Sequence, residues 1–582
     1  MSQADQRESR CKLIKLFGLL VIFLFSAVQA VAACHVVDDS AAGAATGADW
    51  TNAYLVLPTT LVRGDTYYLA DGSYPKYEFD TVESGTTLIT IKKAIPSDHC
   101  TDTGWNAGSM GSGQAVFNSG ALDTFQVSQD YLTVDGQQRT SLSSGHGIKL
   151  NGSDCFGAFC STLNIAGSNL TVRYVEIEGI GDNDPGERNE ALINGDSNPK
   201  SNWTFQYLYL HHSGQAHIAT TRINTLLLEH SYLFHNFTSP TTHGNCFIDT
   251  ESPNVTIRYN VFHDFRGTAC ITMRGAVGVP VDNWTIYGNL FRSTIGNTDS
   301  GVGNGIIYCL FVGCTNVKIY NNTTVFNLTS GQSGVNWKVG NTGTPNIQNN
   351  LWYGITAGLT MTLPDGSTED YNTALNSPIG AFTGPNDVLT ASGAADPFVS
   401  SDGGDSHLTA ATTTGITLSS PYTTDPDGLT RGADGVWDRG AFEYQGGAPI
   451  FQTVLSAPTT RMGLSGTQTV TITNVGSGVA AGTGGDVTYT LTLPTGVTAT
   501  ALSGTGWTSC STVTVSCIRT GAAADLATSA SYPALTLTYS LAKSTALTLT
   551  TEANGTGGGT AGTSTWTGDI TATAFKGLGL AP

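Results

Sequence analysis

The sequence contains few charged residues. Only 12% of its 582 residues are Asp, Glu, Lys or Arg, about half of the roughly 25% found in ordinary soluble domains. This scarcity excludes a coiled coil and charge-driven disorder. The 26 basic residues are outnumbered by 45 acidic ones, which gives a net charge of −19. A chain without a basic excess attracts phosphate groups poorly, so no nucleic-acid partner is expected.

Long apolar segments are also scarce. The one clear run covers residues 16–25; Lys12 and Lys15 precede it, and Ala30-Val31-Ala32 follow. A positive start, a short apolar run and a small-residue cleavage site are typical of a secretory signal peptide. We therefore predict a signal peptide over residues 1–32, no transmembrane segment after its cleavage, and a secreted, periplasmic or cell-surface protein.

The cysteine count agrees with export. Of eleven cysteines, ten remain after residues 1–32 are removed, an even number that suits an oxidising compartment. Residues 31–34 also resemble a bacterial lipoprotein box, but a lipid on Cys34 would leave nine thiols, so a Cys34–Cys100 pair is preferred. Connectivity is not fixed by sequence. The remaining candidates are the close pairs Cys155/Cys160, Cys309/Cys314 and Cys510/Cys517, which leave Cys246 and Cys270.

Residues 168–350 repeat irregularly as short strands. The first strand of each unit ends at a turn, and four successive turns carry a polar residue at one position. These residues are Ser231, Asn260, Asn289 and Asn322. A second strand carries Phe262 and Phe291 in register. A third strand repeats an isoleucine that alternation directs inward. These isoleucines are Ile193, Ile218, Ile248, Ile271 and Ile307.

Three short strands joined by loops of variable length indicate a solenoid, because a single coil cannot bury its own apolar face. Stacked coils advance by about 4.8 Å each. The expected fold is therefore all-β. Amide side chains in the turn column are expected to hydrogen-bond along the stack, at about 1 kcal/mol each.

This ladder, with its three-strand coils and asparagine turn, resembles the right-handed parallel β-helix of the pectate-lyase-like superfamily. The segments 47–54, 63–72 and 437–444 are similar to the ends of bacterial secreted β-helix proteins. We predict a β-helix domain over residues 33–445. The resemblance is specific for the fold and weak for the activity, because this fold hosts many functions.

The rest of the chain has a different composition. Residues 446–450 are predicted to be a linker, and residues 451–582 contain alternating Thr- and Val-rich strands typical of a small β-sandwich. Residues 493–517 resemble the immunoglobulin-like repeat of bacterial surface proteins. This Ig-like domain is expected to act as a spacer or to attach the protein to the cell surface.

The resemblance implies where chemistry takes place. In lyases of the superfamily, the outer face of the isoleucine strand forms the substrate groove. Alternation directs His217 and Asp249 outward on neighbouring coils, and Arg274 leaves the next coil on the same side. A histidine beside a carboxylate can remove a proton near neutral pH, and an arginine grips a uronate carboxylate. The predicted catalytic residues are His217, Asp249, Arg274 and His243.

Seven of the eleven histidines lie between residues 211 and 263. Their clustering beside the predicted groove indicates contact with a substrate, although stacked histidines can also simply hydrogen-bond along a coil. The predicted substrate-binding residues are His211, His212, His235, His263, Arg266 and Arg292.

Two metals are considered. Hard oxygen ligands suit Ca²⁺, and calcium-assisted lyases of the superfamily make a calcium site a reasonable analogy. The residues that would form it are Glu190, Asn245, Asp249 and Glu251. By ligand type, His212, His235 and Asp264 could instead hold zinc. No other cofactor is expected.

The most favoured function is cleavage of an acidic polysaccharide by β-elimination. A glycoside hydrolase that uses Asp249 with Glu251 or Glu190 is the nearest alternative, since paired carboxylates suffice for hydrolysis. A non-catalytic adhesin or surface structural protein is the other alternative. Alginate-lyase-like proteins use lysine and arginine on the groove, but Lys318 and Lys338 form no obvious pair with Arg274 in the sequence.

Overall fold

The computed structural model describes residues 33–568 with internal gaps. The gaps are 120–122, 153–160, 180–190, 196, 237–243, 266–267, 277–278, 280, 295–304, 312, 327–333, 339–340, 342, 356–360, 378–381, 403, 434, 445–450, 456–458, 462–464, 476–485, 494–496, 525, 527–529, 542–546 and 556–561. The predicted signal peptide, the linker, Cys155 and Cys160 therefore lie outside the described residues.

Three parallel sheets run side by side along most of the chain, and most coils contribute one strand to each sheet. This arrangement is a parallel β-helix, as the sequence predicts. Sheet 1 has twelve strands: Cys34–Val37, Thr66–Leu69, Ile89–Lys93, Leu132–Asp135, Leu170–Arg173, Lys200–Gln206, Ile223–Glu229, Val255–Arg258, Thr285–Tyr287, Lys318–Tyr320, Asn346–Gln348 and Thr368–Asp370.

Sheet 2 also has twelve strands and contains the phenylalanine column. Its strands are Gly72–Pro75, Ala115–Asn118, Ile148–Asn151, Val175–Glu178, Tyr209–Ser213, Tyr232–Asn236, Val261–His263, Leu290–Ser293, Thr323–Phe326, Leu351–Tyr353, Thr373–Leu375 and Val388–Thr390. Phe262 pairs with Phe291 as predicted, and their rings stack at 4.9 Å.

Sheet 3 has ten strands and contains the isoleucine column. Its strands are Tyr77–Phe79, Phe125–Val127, Ser161–Ile165, Ala191–Gly195, Ala216–Thr221, Asn245–Thr250, Ile271–Arg274, Ile307–Cys309, Val335–Trp337 and Met361–Thr362. Shorter elements complete the coil region: the strand pairs Val281–Asp282 with Cys314–Thr315 and Phe398–Ser400 with Asp405–Leu408, and the helix Ala107–Met110.

The predicted isoleucine column is wrong at one position. Ile218 pairs with Phe247, and Phe247 pairs with Ile271. Phe247 is therefore fully buried in the core, whereas Ile248 lies on the opposite face of the strand and is partly exposed. Because successive side chains in a strand point to opposite faces, a shift of one residue exchanges the two faces. The same shift directs Asp249 inward.

The asparagine turn is confirmed, and it extends by two coils beyond the prediction. The Oδ1 atom of each asparagine accepts a hydrogen bond from the backbone N–H of its counterpart one coil earlier, at 2.9–3.0 Å. From Asn260 onward, the Nδ2 atom also donates to the next Oδ1 at 3.0 Å. The column runs through Ser231, Asn260, Asn289, Asn322, Asn350 and Asn372. Buried amides are thus satisfied by one another.

The segment 437–444 closes the coil region. The Asp438 carboxylate accepts hydrogen bonds from the backbone N–H groups of Thr412 and Tyr444. The guanidinium of Arg439, which is buried, donates to the carbonyl oxygens of Asn372 and Thr414. These bonds fasten the returning chain onto the last coils.

Beyond the coils, antiparallel strands form two sheets. One contains Phe451–Leu455, Thr459–Arg461, Ser465–Asn474, Val497–Ser503 and Leu535–Leu541; the other contains Val487–Thr492, Thr508–Ser511, Ser516–Arg519, Leu547–Gly555 and Gly562–Gly568. A 3₁₀ helix spans Gly521–Ala524. Side chains of both sheets share one buried cluster, so this region is a β-sandwich. An Ig-like identity stays a prediction.

Four disulfide bonds occur in the described residues: Cys34–Cys100, Cys246–Cys270, Cys309–Cys314 and Cys510–Cys517. All four agree with the pairs suggested by the sequence, and they are typical of an oxidising compartment. Among the described residues, no helix has the length and apolar character needed to cross a membrane.

The corrected register predicts unequal effects of two neighbouring substitutions. Phe247→Ala should lower the free energy of unfolding by about 3–5 kcal/mol, because it empties a fully packed position. Ile248→Ala, the matched control on the other face, should cost only about 1 kcal/mol or less. Urea denaturation followed by tryptophan fluorescence measures both. Equal losses would contradict the register.

The Cys34–Cys100 bond predicts an unlipidated mature protein. It occupies the sulfur atom that a lipid would need. In addition, the backbone nitrogen of Ala33 donates to Asp65 Oδ1 at 2.8 Å. Cleavage before Ala33 would place the new ammonium group on this carboxylate. Intact-mass measurement of the exported protein should give a chain that starts at Ala33; a diacylglycerol adduct on Cys34 would refute this.

Candidate functional site

The predicted catalytic residue His217 is fully buried. Its Nε2 atom donates to the carbonyl oxygen of Phe234 at 3.1 Å. Burial lowers the pKa of His217 to about 3, so the ring is neutral over the physiological range. In this position the ring has no access to a substrate, and its contact with Phe234 ties sheet 3 to sheet 2.

Asp249, the predicted partner of His217, lies inside the coil and is fully buried. Its carboxylate accepts hydrogen bonds from Thr220 Oγ1 at 2.6 Å, from Ser252 Oγ at 2.5 Å and from the Ser252 backbone at 3.0 Å. Burial raises the pKa of Asp249 to about 6. The group connects two coils at the end of the strand, and it does not meet His217 in a groove.

The predicted calcium ligands are not brought together in the described part of the chain. Asn245 Oδ1 accepts a hydrogen bond from Thr272 Oγ1 at 2.6 Å, and Glu251 pairs with the guanidinium of Arg222 at 2.6 Å. Asp249 faces the interior. Glu190 lies outside the described residues, as do the predicted residues His243 and Arg266.

The six predicted binding residues, apart from Arg266, lie along the outward side of sheet 2. His211, Phe234, His263 and Arg292 form one column across four coils. His263 Nδ1 and the Tyr232 hydroxyl are hydrogen-bonded at 2.6 Å, and Arg292 donates to the carbonyl oxygen of Asp402 at 2.7 Å. These two contacts are structural.

His212, His235 and Asp264 occupy the bend that follows this column, each with a left-handed backbone at φ of 59°, 57° and 51°. The rings of His212 and His235 are 5.6 Å apart between centroids. Asp264, however, accepts hydrogen bonds from the backbone and hydroxyl of Thr294. The zinc site of these three residues stays a prediction.

A charged cluster that the sequence analysis missed adjoins His211. Lys149 Nζ contacts Glu176 Oε1 at 2.8 Å and Glu178 Oε2 at 2.5 Å. His211 Nε2 lies 3.3 Å from Glu176 Oε1, and Gln114 Nε2 donates to Glu176 Oε2 at 2.9 Å. Burial alone would raise the pKa of Glu176, but hydrogen bonds from His211, Lys149 and Gln114 lower it to about 2.

A second missed feature involves Arg274, the predicted groove arginine. Its guanidinium lies 5.3 Å from the ring centroid of Phe311, and Lys338 Nζ lies 5.5 Å from the same centroid. The sequence suggested no pairing of Lys338 with Arg274, yet the structure brings both to one aromatic ring. We call Arg274, Phe311 and Lys338 the cationic patch.

The cationic patch is unusual for this acidic chain. Within the described residues, neither Arg274 nor Lys338 pairs with a carboxylate, and the Nε atom of Arg274 is buried without a hydrogen-bond partner. Phe311, on the loop closed by Cys309–Cys314, has 41% of its surface exposed. Unpaired cations beside an exposed ring can bind an anionic ligand that has an apolar face.

Neither a protein-family model nor a curated protein sequence matches the chain. Among solved structures, the Dettilon tailspike protein aligns with a TM-score of 0.32 and 10% identity over 82% of this chain and 87% of that chain. A mutant of the PL6 family alginate lyase AlyGC aligns with a TM-score of 0.32 and 15% identity over 66% of this chain and 55% of that chain.

A mannuronic acid specific family 6 polysaccharide lyase from the human gut microbiota gives a TM-score of 0.31 at 15% identity, over 56% of this chain and 73% of that chain. All three scores are below 0.5, so these similarities carry no inference about activity. The fold assignment rests on the strand pairing itself.

The burial of Asp249 predicts a specific pH dependence of stability. Its pKa is about 6 in the folded chain, above the ordinary value of 3.8 for an aspartate. The folded state therefore binds the proton more tightly, and stability should fall as pH rises from about 4 to 6. Asp249→Asn should flatten this part of the profile, measured by thermal unfolding. An unchanged slope would contradict the buried position.

Proposed function

We propose that the chain is an exported carbohydrate-active protein that binds an acidic polysaccharide at the cationic patch and cleaves it by β-elimination. The observation that carries the proposal is the convergence on one exposed aromatic ring of two cations that pair with no carboxylate in the described part of the chain. A uronate residue offers both matching features: a carboxylate for Arg274 and Lys338, and a ring face for Phe311.

Charge neutralisation is the main chemical contribution of this patch. In the proposed β-elimination, solvent water accepts the proton from C5 of the uronate and the C5–H electron pair forms the C4–C5 double bond. The bond from C4 to the glycosidic oxygen breaks, and the departing oxygen takes a proton from Tyr308, which solvent then restores. Negative charge builds up on the carboxylate during proton removal. Fixed cations at that carboxylate stabilise the charge where it develops.

Tyr308 is the proposed proton donor to the departing glycosidic oxygen. It pairs with Thr272 one coil earlier, and Arg274 follows Thr272 by two residues on the same face. Two residues along a strand span roughly 7 Å, which is the scale of one sugar unit and its neighbouring bond. Tyr308 has 4% of its surface exposed, so only the edge of its side chain can meet a substrate. Its hydroxyl group carries its proton at neutral pH, as an ordinary tyrosine does, and can donate it.

The hydrolase that would use Asp249 with Glu251 receives no support, because Asp249 faces the interior and Glu251 is paired with Arg222. A surface protein that only binds glycans would need the cationic patch but not Tyr308. The two possibilities differ in whether the polymer is cleaved.

The proposal predicts the response of four variants. The purified chain should be assayed against a panel of uronate-containing and neutral polysaccharides, with readouts for unsaturated products, for new reducing ends and for binding. Arg274→Ala and Lys338→Ala should each lower activity on the preferred acidic polymer by roughly a hundredfold, and Phe311→Ala should weaken its binding. Lys318→Ala is the matched control, since Lys318 is a cation on sheet 1 and its loss should change nothing.

Three outcomes have distinct meanings. New reducing ends without unsaturated products would show that the polymer is cleaved by hydrolysis and not by elimination. If the parent protein binds the polymer without cleaving it, and Arg274→Ala loses this binding, the cationic patch is a glycan-binding site and the proposed enzymatic activity is refuted. If the parent protein, Lys338→Ala and Lys318→Ala bind and cleave every acidic polymer equally, the cationic patch is not the polysaccharide site.

A further inference from the structure

Three side chains with metal-binding atoms meet on the outward side of sheet 2. They are Glu178, His211 and His212, and one ligand atom from each lies within 4.8 Å of the other two. The Nδ1 atoms of His211 and His212 are only 2.6 Å apart. This group is separate from the cationic patch, which lies at the ends of sheet 3 strands and on the loop closed by Cys309–Cys314.

The fold explains why adjacent histidines can face each other. Glu178 and His211 are direct partners on neighbouring strands, so their side chains project from the same side of the sheet. Successive residues of a regular strand would point to opposite faces. His212 has a left-handed backbone, with φ of 59°, and this bend turns its ring back toward His211.

His211 also has the environment of a metal-binding histidine. Its second ring nitrogen, Nε2, faces Glu176 Oε1 at 3.3 Å, and the ring is stacked on Tyr209 with 4.1 Å between centroids. Glu176 is itself held by Gln114 and Lys149. Metal-ligating histidines generally donate their other N–H to a carboxylate in this way, which fixes the ring and frees the ligating nitrogen.

We propose that Glu178, His211 and His212 bind one divalent transition-metal ion, of which zinc is the representative. Two imidazoles and one carboxylate are an established ligand set for zinc with an open fourth position. Zinc–nitrogen bonds of about 2.0–2.1 Å would hold two nitrogens roughly 3–3.4 Å apart. The observed Nδ1 pair therefore needs to open by less than about 1 Å.

Lys149 must move when the metal ion binds. In the structure its ammonium bridges Glu178 and Glu176. A dication at Glu178 would repel this ammonium, and Lys149 would then stay with Glu176 alone. Metal binding thus moves Lys149 within the cluster without leaving a buried carboxylate unpaired.

The test uses the purified exported chain, treated with a chelator and dialysed. Zinc is titrated by calorimetry, and cobalt(II) by visible absorption, which reports tetrahedral coordination. One equivalent of metal should bind. Glu178→Gln and His212→Asn should each weaken zinc binding at least tenfold; asparagine is chosen because it tolerates the left-handed backbone. Glu176→Gln should weaken binding about 10- to 100-fold through the orientation of His211.

His263→Ala is the matched control, because His263 lies in the same outward column as His211 but outside the proposed ligand set. It should bind zinc like the parent protein. Circular dichroism and thermal unfolding of every variant confirm that the coils are intact. The proposal is overturned if the parent binds no stoichiometric zinc, or if Glu178→Gln and His212→Asn bind it as tightly as His263→Ala does.

Discussion

The register between neighbouring coils is the constraint on which the rest of the structure depends. Every strand of the three long sheets pairs in parallel with the strand one coil away, so a side chain belongs either to the core or to the surface according to its place in the pairing. Two kinds of column fix this register. Apolar side chains stack inside, and the asparagines hydrogen-bond from coil to coil at one turn.

The sequence was sufficient for those parts of the fold that repeat visibly. The asparagine column and the Phe262–Phe291 pair each recur at a fixed place within a coil, and both were predicted correctly. The register of sheet 3 does not follow from alternation in the same way, because three consecutive residues, Cys246, Phe247 and Ile248, are all apolar. Alternation does not show which of two neighbouring apolar residues faces the core. Aligning isoleucine with isoleucine placed Ile248 there, whereas the residue in the core is Phe247.

The surface features could be predicted only in part for a related reason. The strands Ile271–Arg274, Ile307–Cys309 and Val335–Trp337 are separated by loops of unequal length, so the sequence does not show that Lys338 approaches the ring beside Arg274. Lys149 was missed in the same way, because its partners Glu176 and Glu178 lie a full coil later. In this low-charge chain, the few side chains that gather on one face come from distant parts of the sequence.

The hydrogen bonds of the asparagine column run in one direction along the coils, and the column ends at an aspartate, Asp387. Each asparagine accepts from the coil before it and donates to the coil after it. Asn372 donates its backbone N–H to Asp387 Oδ1 at 2.7 Å, and an aspartate side chain has no amide N–H to pass on. A second molecule stacked against this end would therefore find no side-chain amide with which to continue the column. A β-helix can extend only by pairing at its end strands, and an aspartate in the place of an asparagine removes one amide hydrogen bond that would otherwise hold a second copy there.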